Sequence, residues 1–198
     1  MVSDANRLFL KTELIRRIEG LSFRKALSSE PLQTVDEIVK QLEEISPTPY
    51  PLSFESLLQI YGIWQVAYTS NETVVTSATD TVQEGVITNI EIWENLTAGS
   101  NSTIAACDYV LIEVASFAEW KMEVEGVWKF NEDEKTALVK YRSFEFKQSK
   151  PFPFPFFDLK IPIFEVFPNE RVFVTTYLDE DIRVARDDNS SVFVFRKR

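Results

Sequence analysis

The apolar pattern of the chain changes from helical to alternating at Gly62-Ile63-Trp64-Gln65-Val66-Ala67-Tyr68-Thr69-Ser70. Alternation of this kind is typical of a strand with one face on a core. The predicted core face carries Gly62, Trp64, Val66 and Tyr68, and the opposite face carries Gln65 and Thr69. We therefore predict that this stretch is the first strand of a β-barrel.

The alternation continues almost to the C-terminus. It predicts further, mostly antiparallel strands near residues 73–82, 84–94, 103–117, 119–131, 135–147, 171–185 and 191–197. The strand near 119–131 has the clearest pattern, with one aromatic and one charged face. The fold class predicted is mainly β, an antiparallel barrel of about eight strands. The side chains predicted to line it are Trp64, Val66, Tyr68, Trp120, Met122, Val124 and Trp128.

Two or three amphipathic helices are predicted before the barrel. The first begins after Ser3 or Asp4 and ends at Gly20, with an apolar stripe of Leu8, Leu14, Ile15 and Ile18. A second begins at Thr34, which has capping-box spacing to Glu37. A short helical turn follows the prolines of 47–51. We expect one domain over 1–198, in which the helical part, 1–60, packs on the barrel, 61–198.

Charge and hydropathy exclude several classes of protein. The 198 residues carry a net charge of -10, which argues against a nucleic-acid partner. The sequence has no apolar run of the roughly 18 residues that a membrane-spanning helix needs. The N-terminus resembles neither a secretory signal nor a transit peptide, so we expect a protein that stays where it is made, or a mature form.

The residues needed for common catalytic chemistry are absent from the sequence. It contains no histidine, five scattered glycines and one cysteine, Cys107, so it has no histidine-dependent nucleophile, phosphate-binding glycine loop or internal disulfide. We predict no catalytic residues, cofactor or metal. The densest carboxylates are Asp179-Glu180-Asp181. On one strand, Asp179 and Asp181 would share a face with Arg183, which favours a structural ion pair over an acid/base pair.

Residues 150–168 are rich in phenylalanine and proline. Prolines at alternate positions exclude a central strand, so the segment is expected to be extended and stiff. Two interpretations stay open: the phenylalanines fill one end of the barrel, or they form an apolar rim or lid at the mouth of a pocket, able to contact a membrane. The candidate contact residues are Phe152, Phe154, Phe156 and Phe157.

Barrel closure predicts one long-range contact. The last strands of a closed barrel pair with the first, so we expect Arg183 to lie over the indole of Trp64. Arg186, on the opposite face of the same strand, is the alternative partner.

A turn is predicted at Asp187-Asp188-Asn189-Ser190, since Asp and Asn side chains bond their own backbone.

The closing segment carries a family resemblance. Thr175-Thr176-Tyr177-Leu178-Asp179-Glu180-Asp181-Ile182-Arg183-Val184-Ala185-Arg186, with Ser191-Val192-Phe193-Val194-Phe195, resembles the ending of the plastid lipid-associated protein (PAP/fibrillin) family. Further matching motifs, in the family's order, are Gln41-Leu42-Glu43, Ser46-Pro47-Thr48-Pro49, Leu57-Leu58 and Gly62-x-Trp64-x-x-x-Tyr68-Thr69-Ser70. The resemblance covers about residues 8 to 198.

This resemblance implies a lipocalin-like barrel of photosynthetic membranes, with no established catalytic residues. The leading hypothesis is a non-enzymatic protein that binds a quinone, carotenoid, tocopherol or acyl lipid in the barrel. The alternative is a scaffold that coats lipid bodies or recruits membrane enzymes; an enzyme acting on an isoprenoid or tetrapyrrole comes third. Whether the barrel is hollow or filled stays open, and protein partners stay unknown. The expected location is a cyanobacterial cytoplasm or thylakoid, or a plastid plastoglobule or thylakoid for a mature plant protein.

Overall fold

The computed structural model describes residues 2–27, 32–70, 87–100, 103–114, 118–150 and 170–198. Within these ranges, eight antiparallel strands form a closed ring in chain order, so the predicted barrel is confirmed. The strands are β1 (Gly62–Thr69), β2 (Ile87–Ala98), β3 (Ile104–Val114), β4 (Ala118–Phe130), β5 (Thr136–Lys150), β6 (Glu170–Leu178), β7 (Ile182–Asp187) and β8 (Val192–Lys197). The strand predicted near 73–82 lies outside the described residues.

Four helices precede or adjoin the barrel in the described part of the chain. They are α1 (Val2–Glu19), α2 (Phe23–Ala26), α3 (Gln33–Glu44) and α4 (Leu57–Ile60). None of these helices has the length and apolar character needed to cross a membrane.

The ring closes between β1 and β8. The predicted contact between Arg183 and Trp64 was derived from this closure. Trp64 pairs with Lys197, and Thr69 with Phe193. Beyond the end of β1, the backbone N–H of Val192 donates to Oγ of Ser70 at 2.8 Å.

The barrel interior holds an apolar core to which every strand contributes. One half includes Trp64, Leu96, Ile104, Trp128, Val139, Leu178, Ala185 and Phe195. The other half includes Ile90, Val110, Ile112, Trp120, Met122 and Val124. Leu52 and Ile60, which come from the segment around α4, pack against the first half and place α4 at that end of the barrel.

Helices α1 and α3 cover the outer face of β7 and β8. Leu10, Leu14 and Ile18 recur at intervals of four and pack with Val184 and Val194. Successive residues of β7 and β8 are therefore buried alternately in the barrel and under the helices, so Val192-Phe193-Val194-Phe195 is apolar at every position.

The predicted closing strand 171–185 is wrong, because two strands occupy this segment. Asp179 begins a turn between them: its Oδ1 accepts the backbone N–H groups of Asp181 and Ile182, each at 2.9 Å. An aspartate that bonds the backbone two residues onward favours a turn over continued extension. The predicted turn at 187–190 is confirmed, since Asp187 Oδ1 accepts the N–H groups of Asn189 and Ser191.

Two details of the predicted helices are also wrong. Leu8 is 65% exposed and does not belong to the buried stripe of α1, because Leu10, Leu14 and Ile18 define the face that meets the barrel. Helix α3 begins at Gln33, one residue before Thr34, and its N-cap is Leu32. The backbone N–H of Leu32 donates to the hydroxyl of Tyr68 at 3.0 Å, so a tertiary contact fixes this helix start.

Candidate ligand-binding interior of the barrel

The indole of Trp64 links α4 to the interior of the barrel. Its Nε1–H donates to the carbonyl of Ile60 at 2.7 Å, and its side chain is fully buried. The guanidinium carbon of Arg183 lies 5.5 Å from its ring centre, so the predicted pair is confirmed. Arg186, the alternative partner, lies on the other face of β7 and binds Glu43 of α3.

Three aromatic rings surround Arg183. Its guanidinium carbon lies 3.9 Å from the ring centre of Phe195 and 5.3 Å from that of Trp128, in addition to Trp64. The residue is 1% exposed. Aromatic faces attract a cation electrostatically, and more strongly when it is desolvated, which favours keeping this charge inside the barrel.

Two carboxylates, on the adjacent strands β2 and β3, face Arg183 across the barrel interior. Glu94 of β2 pairs in register with Trp64 on one side and with Asp108 of β3 on the other, so all three side chains point inward. Glu94 accepts a hydrogen bond from Nη2 of Arg183. We call Arg183, Glu94, Asp108 and Trp128 the interior polar cluster.

Burial changes the ionisation of both carboxylates. It raises the pKa of Glu94, against the opposing effect of Arg183. Burial and the neighbouring charge of Glu94 raise the pKa of Asp108 well above its ordinary value, and Arg183 and Arg171 only partly offset this. The two carboxylates occupy paired positions of adjacent strands, and the charge of Glu94 disfavours ionisation of Asp108.

Several polar atoms of the cluster have no hydrogen-bond partner among the described residues. They are Nε and Nη1 of Arg183, Nε1 of Trp128 and Oδ1 of Asp108. Buried polar groups in native proteins are nearly always paired, and an unpaired one costs about 1–3 kcal/mol. As far as the described residues go, these interior groups have unused hydrogen-bonding capacity.

The predicted lining residues fall into two groups. Trp64 and Trp128 lie beside the interior polar cluster, and Trp120, Met122 and Val124 lie in the other half of the interior. Val66 touches both halves. These six side chains are on the face that alternation predicted.

Tyr68 is the exception, because it packs with α1 and α3 and not with Trp64. The pairing of β1 with β8 shifts register between Val66 and Tyr68. A bulge of this kind adds one residue and reverses the faces beyond it. Tyr68 is therefore outside the barrel lining.

Asp179 and Asp181 do not pair with Arg183, so that expectation is wrong. Because they lie in the β6–β7 turn, both bind Lys11 of α1, whose Nζ is 2.7 Å from Asp179 Oδ2 and 3.0 Å from Asp181 Oδ2. Asp179 Oδ2 also accepts the hydroxyl of Tyr177 at 2.6 Å. These residues tie α1 to the turn and are structural.

Sequence reasoning missed Glu94 and Asp108. Glu94 follows Ile90 and Ile92 at the inward positions of β2, and Asp108 lies between Ala106 and Val110 on β3. A single acid at an inward position of an apolar alternation was the available signal.

A surface cleft of about 590 Å³ lies between α1 and the β6–β7 turn. Its lining includes Arg7, Lys11, Pro47, Gln59, Asp179 and Lys197. Lys11 is already paired with two carboxylates, and Lys197 donates to the carbonyl of Gln59. The cleft is therefore ionic, unlike the barrel interior.

The other sites considered from the sequence are the phenylalanine-rich segment, a metal site and Cys107. Phe152, Phe154, Phe156 and Phe157 lie outside the described residues. Within the described ranges, no three His, Cys, Asp or Glu side chains gather as metal ligands would. Cys107 is half-buried beside Glu123, and burial raises the pKa of its thiol to about 11, which disfavours the reactive thiolate.

Comparison with known proteins adds one positive result. A search of curated proteins finds no match to this chain. The family model of PAP/fibrillin matches residues 9–196, which is nearly the whole chain and includes both the barrel and the covering helices. That family is associated with plastids, plastoglobules and lipid, and is in general non-enzymatic. The chain is therefore a member of the PAP/fibrillin family.

Proposed function

We propose that the protein binds a hydrophobic small molecule inside its barrel and is not an enzyme. The observation that supports this most directly is the barrel interior, where an apolar, aromatic wall surrounds buried hydrogen-bonding groups that lack partners among the described residues. Ligand pockets typically combine an apolar lining with a few polar groups that fix orientation. A quinone, carotenoid, tocopherol or acyl lipid has a matching apolar body.

The test adds volume to the interior. Ala106 of β3 is buried in the barrel, and its neighbour Ala105 lies on the opposite face of the same strand. The fluorescence of N-phenyl-1-naphthylamine, an uncharged hydrophobic dye, should rise on binding to the native protein with one site per chain. Ala106→Leu should abolish that rise while preserving the melting temperature, and Ala105→Leu should change neither.

A filled barrel gives the opposite pattern. The native protein would not bind the dye, and Ala106→Leu would lower the melting temperature, because overpacking a filled core costs about 1–3 kcal/mol. That result would overturn the proposal.

A second candidate is attachment to a lipid surface, as in a scaffold that coats lipid bodies. Phe54 is 91% exposed and Leu58 is 80% exposed. Leu57 N–H donates to the carbonyl of Ser53, which continues helical spacing back from α4, so Phe54 and Leu58 lie on one outward face. Adjacent exposed apolar side chains of this size are typical of contact surfaces.

A further inference from the structure

Arg183 and Trp128 present buried N–H groups that no described residue accepts. Arg183 uses Nη2 for Glu94, which leaves Nε and Nη1, and Trp128 leaves Nε1. Both residues are at least 98% buried, since they are 1% and 2% exposed. Trp64 is a contrast within the same core, because its N–H is already accepted by Ile60.

The two side chains that carry the free donors are neighbours. The guanidinium carbon of Arg183 is 5.3 Å from the ring centre of Trp128, and Nε1 belongs to that ring. Hydrogen bonds span roughly 2.7–3.2 Å between heavy atoms, so a ligand oxygen bound to one of these side chains lies close to the other. The nearest ring, that of Phe195, offers only a π face, which is a weak acceptor.

The charges of the cluster restrict that oxygen. Arg183 is balanced by Glu94, and Asp108, on which the charge of Arg171 also acts, is a further carboxyl group in register with Glu94. A ligand carboxylate would be one more negative charge in a buried site, where like charges close together are costly. An uncharged oxygen adds no charge and still accepts from both donors.

We infer that the interior polar cluster binds the uncharged carbonyl group of the ligand, whose oxygen accepts from Arg183 and Trp128 while its apolar body lies along Val66 and Met122. This inference rests on the proposed function and names its ligand class: ketones, quinones and esters are favoured over free acids and over hydrocarbons. Trp128 acts as a specificity-determining residue through its N–H.

Three matched probes test the inference by calorimetric titration of the full chain. They are 2-acetylnaphthalene, 2-isopropylnaphthalene and 2-naphthoate, which share one ring system and differ in carrying a carbonyl, a hydrocarbon of the same shape or a carboxylate. The ketone should bind about tenfold more tightly than the hydrocarbon, the effect of about one net hydrogen bond to a charged donor. The carboxylate should bind more weakly than the ketone.

Trp128→Phe keeps an aromatic face and removes the N–H together with part of the ring system. It should weaken binding of the ketone more than binding of the hydrocarbon, and part of the preference should remain because Arg183 still donates. The matched control is Trp93→Phe, because Trp93 stacks on Tyr109 at 5.4 Å on the opposite face of β2 from Glu94. If Trp128→Phe fails to fold, the affinities of the native protein for the three probes still test the inference.

The outcomes separate this inference from the proposed function. Equal binding of ketone and hydrocarbon would overturn the carbonyl site, assign its N–H groups to bound water and leave hydrophobic binding intact. Tightest binding of the carboxylate would overturn the ligand class. Failure of all three probes to bind would overturn both.

Discussion

Arg186 and Glu43 form a two-pronged ion pair between strand β7 and helix α3. Nε of Arg186 lies 2.8 Å from Oε1 of Glu43, and Nη2 lies 3.0 Å from Oε2. The residues are 143 positions apart in the sequence, and each side chain is about four-fifths buried. Hydrogen bonding to Glu43 raises the pKa of Arg186. The pair therefore fixes the helical layer on the barrel.

A double-mutant cycle measures this pair. Arg186→Met and Glu43→Gln, alone and together, should show a coupling energy of about 1–2 kcal/mol by urea unfolding, because paired, partly buried charges in bidentate geometry are among the stronger surface interactions. Additive effects of the two substitutions would show that this ion pair does not hold α3 on β7.

The β6–β7 turn offers a second matched pair, Asp179→Asn and Asp181→Asn. Asp179 accepts two backbone N–H groups, the Tyr177 hydroxyl and Lys11. The side chain of Asp181 is 68% exposed and, among the described residues, its carboxylate binds Lys11 alone. Near neutral pH, Asp179→Asn should lower the free energy of unfolding by about 2–4 kcal/mol and Asp181→Asn by less than about 1 kcal/mol. Equal losses would contradict the assigned roles.

Near neutral pH, the ionised carboxylates of Asp108 and Asp179 should change the free energy of unfolding in opposite directions. Burial and Glu94 raise the pKa of Asp108 above its ordinary value of 3.8. The folded state therefore holds this proton more tightly than the unfolded state, and stability falls as pH rises from 3.8 through the folded pKa. Asp108→Asn should thus stabilise the protein near pH 7, and the gain should shrink toward about pH 4.

The pKa of Asp179 is lowered, because Lys11, Tyr177 and two backbone N–H groups outweigh its burial. Its contribution is present above 3.8 and is lost as pH falls through the folded pKa. Urea midpoints of Asp179→Asn and Asp108→Asn near neutral pH should therefore move in opposite directions. A destabilised Asp108→Asn at neutral pH would show that Asp108 is needed as a charged group.

Lipid contact has two candidate surfaces, and vesicle sedimentation separates them. One is formed by Phe54 and Leu58, and the other is the phenylalanine-rich segment. Phe54→Ser with Leu58→Ser, and separately Phe152, Phe154 and Phe156→Ser, should each weaken sedimentation with uncharged galactolipid vesicles. Because the chain is acidic, binding should be hydrophobic and survive high salt.

The control for this experiment is Leu8→Ser with Phe9→Ser, which removes two exposed apolar side chains from α1. Unchanged sedimentation of both test variants in the folded state would refute attachment through these surfaces. Unfolding of the triple variant would place its phenylalanines in the core, the other interpretation of that segment.

The sequence predicted the features that depend on regular alternation. The strand β1, the inward face of β4 and the approach of Arg183 to Trp64 follow from period and barrel closure. The bulge before Tyr68 could not be predicted in this way, because the sequence there keeps its alternation while the pairing with β8 shifts. Local pattern contains no information on such a shift in register.

The interior polar cluster was only partly predictable, for a related reason. Arg183 was expected near Trp64, but its partner Glu94 lies 89 residues away on another strand. An isolated acid in a strand becomes meaningful only when the register places it opposite a cation. The division between β6 and β7 could have been predicted from the local sequence, because Asp179-Glu180-Asp181 has the composition of a turn inside an otherwise apolar stretch.

Ring closure between β1 and β8 also determines when the protein acquires its structure. Ser70 and Val192, which meet where the ring closes, are 122 residues apart, so the barrel has high contact order and folds slowly for its size. During synthesis the aromatic wall around Trp64 and Trp128 stays incomplete until the last strand leaves the ribosome. A chain stopped before β8 lacks Phe195, the nearest aromatic neighbour of Arg183, so we expect it to stay unfolded and to be bound by chaperones or cut by proteases.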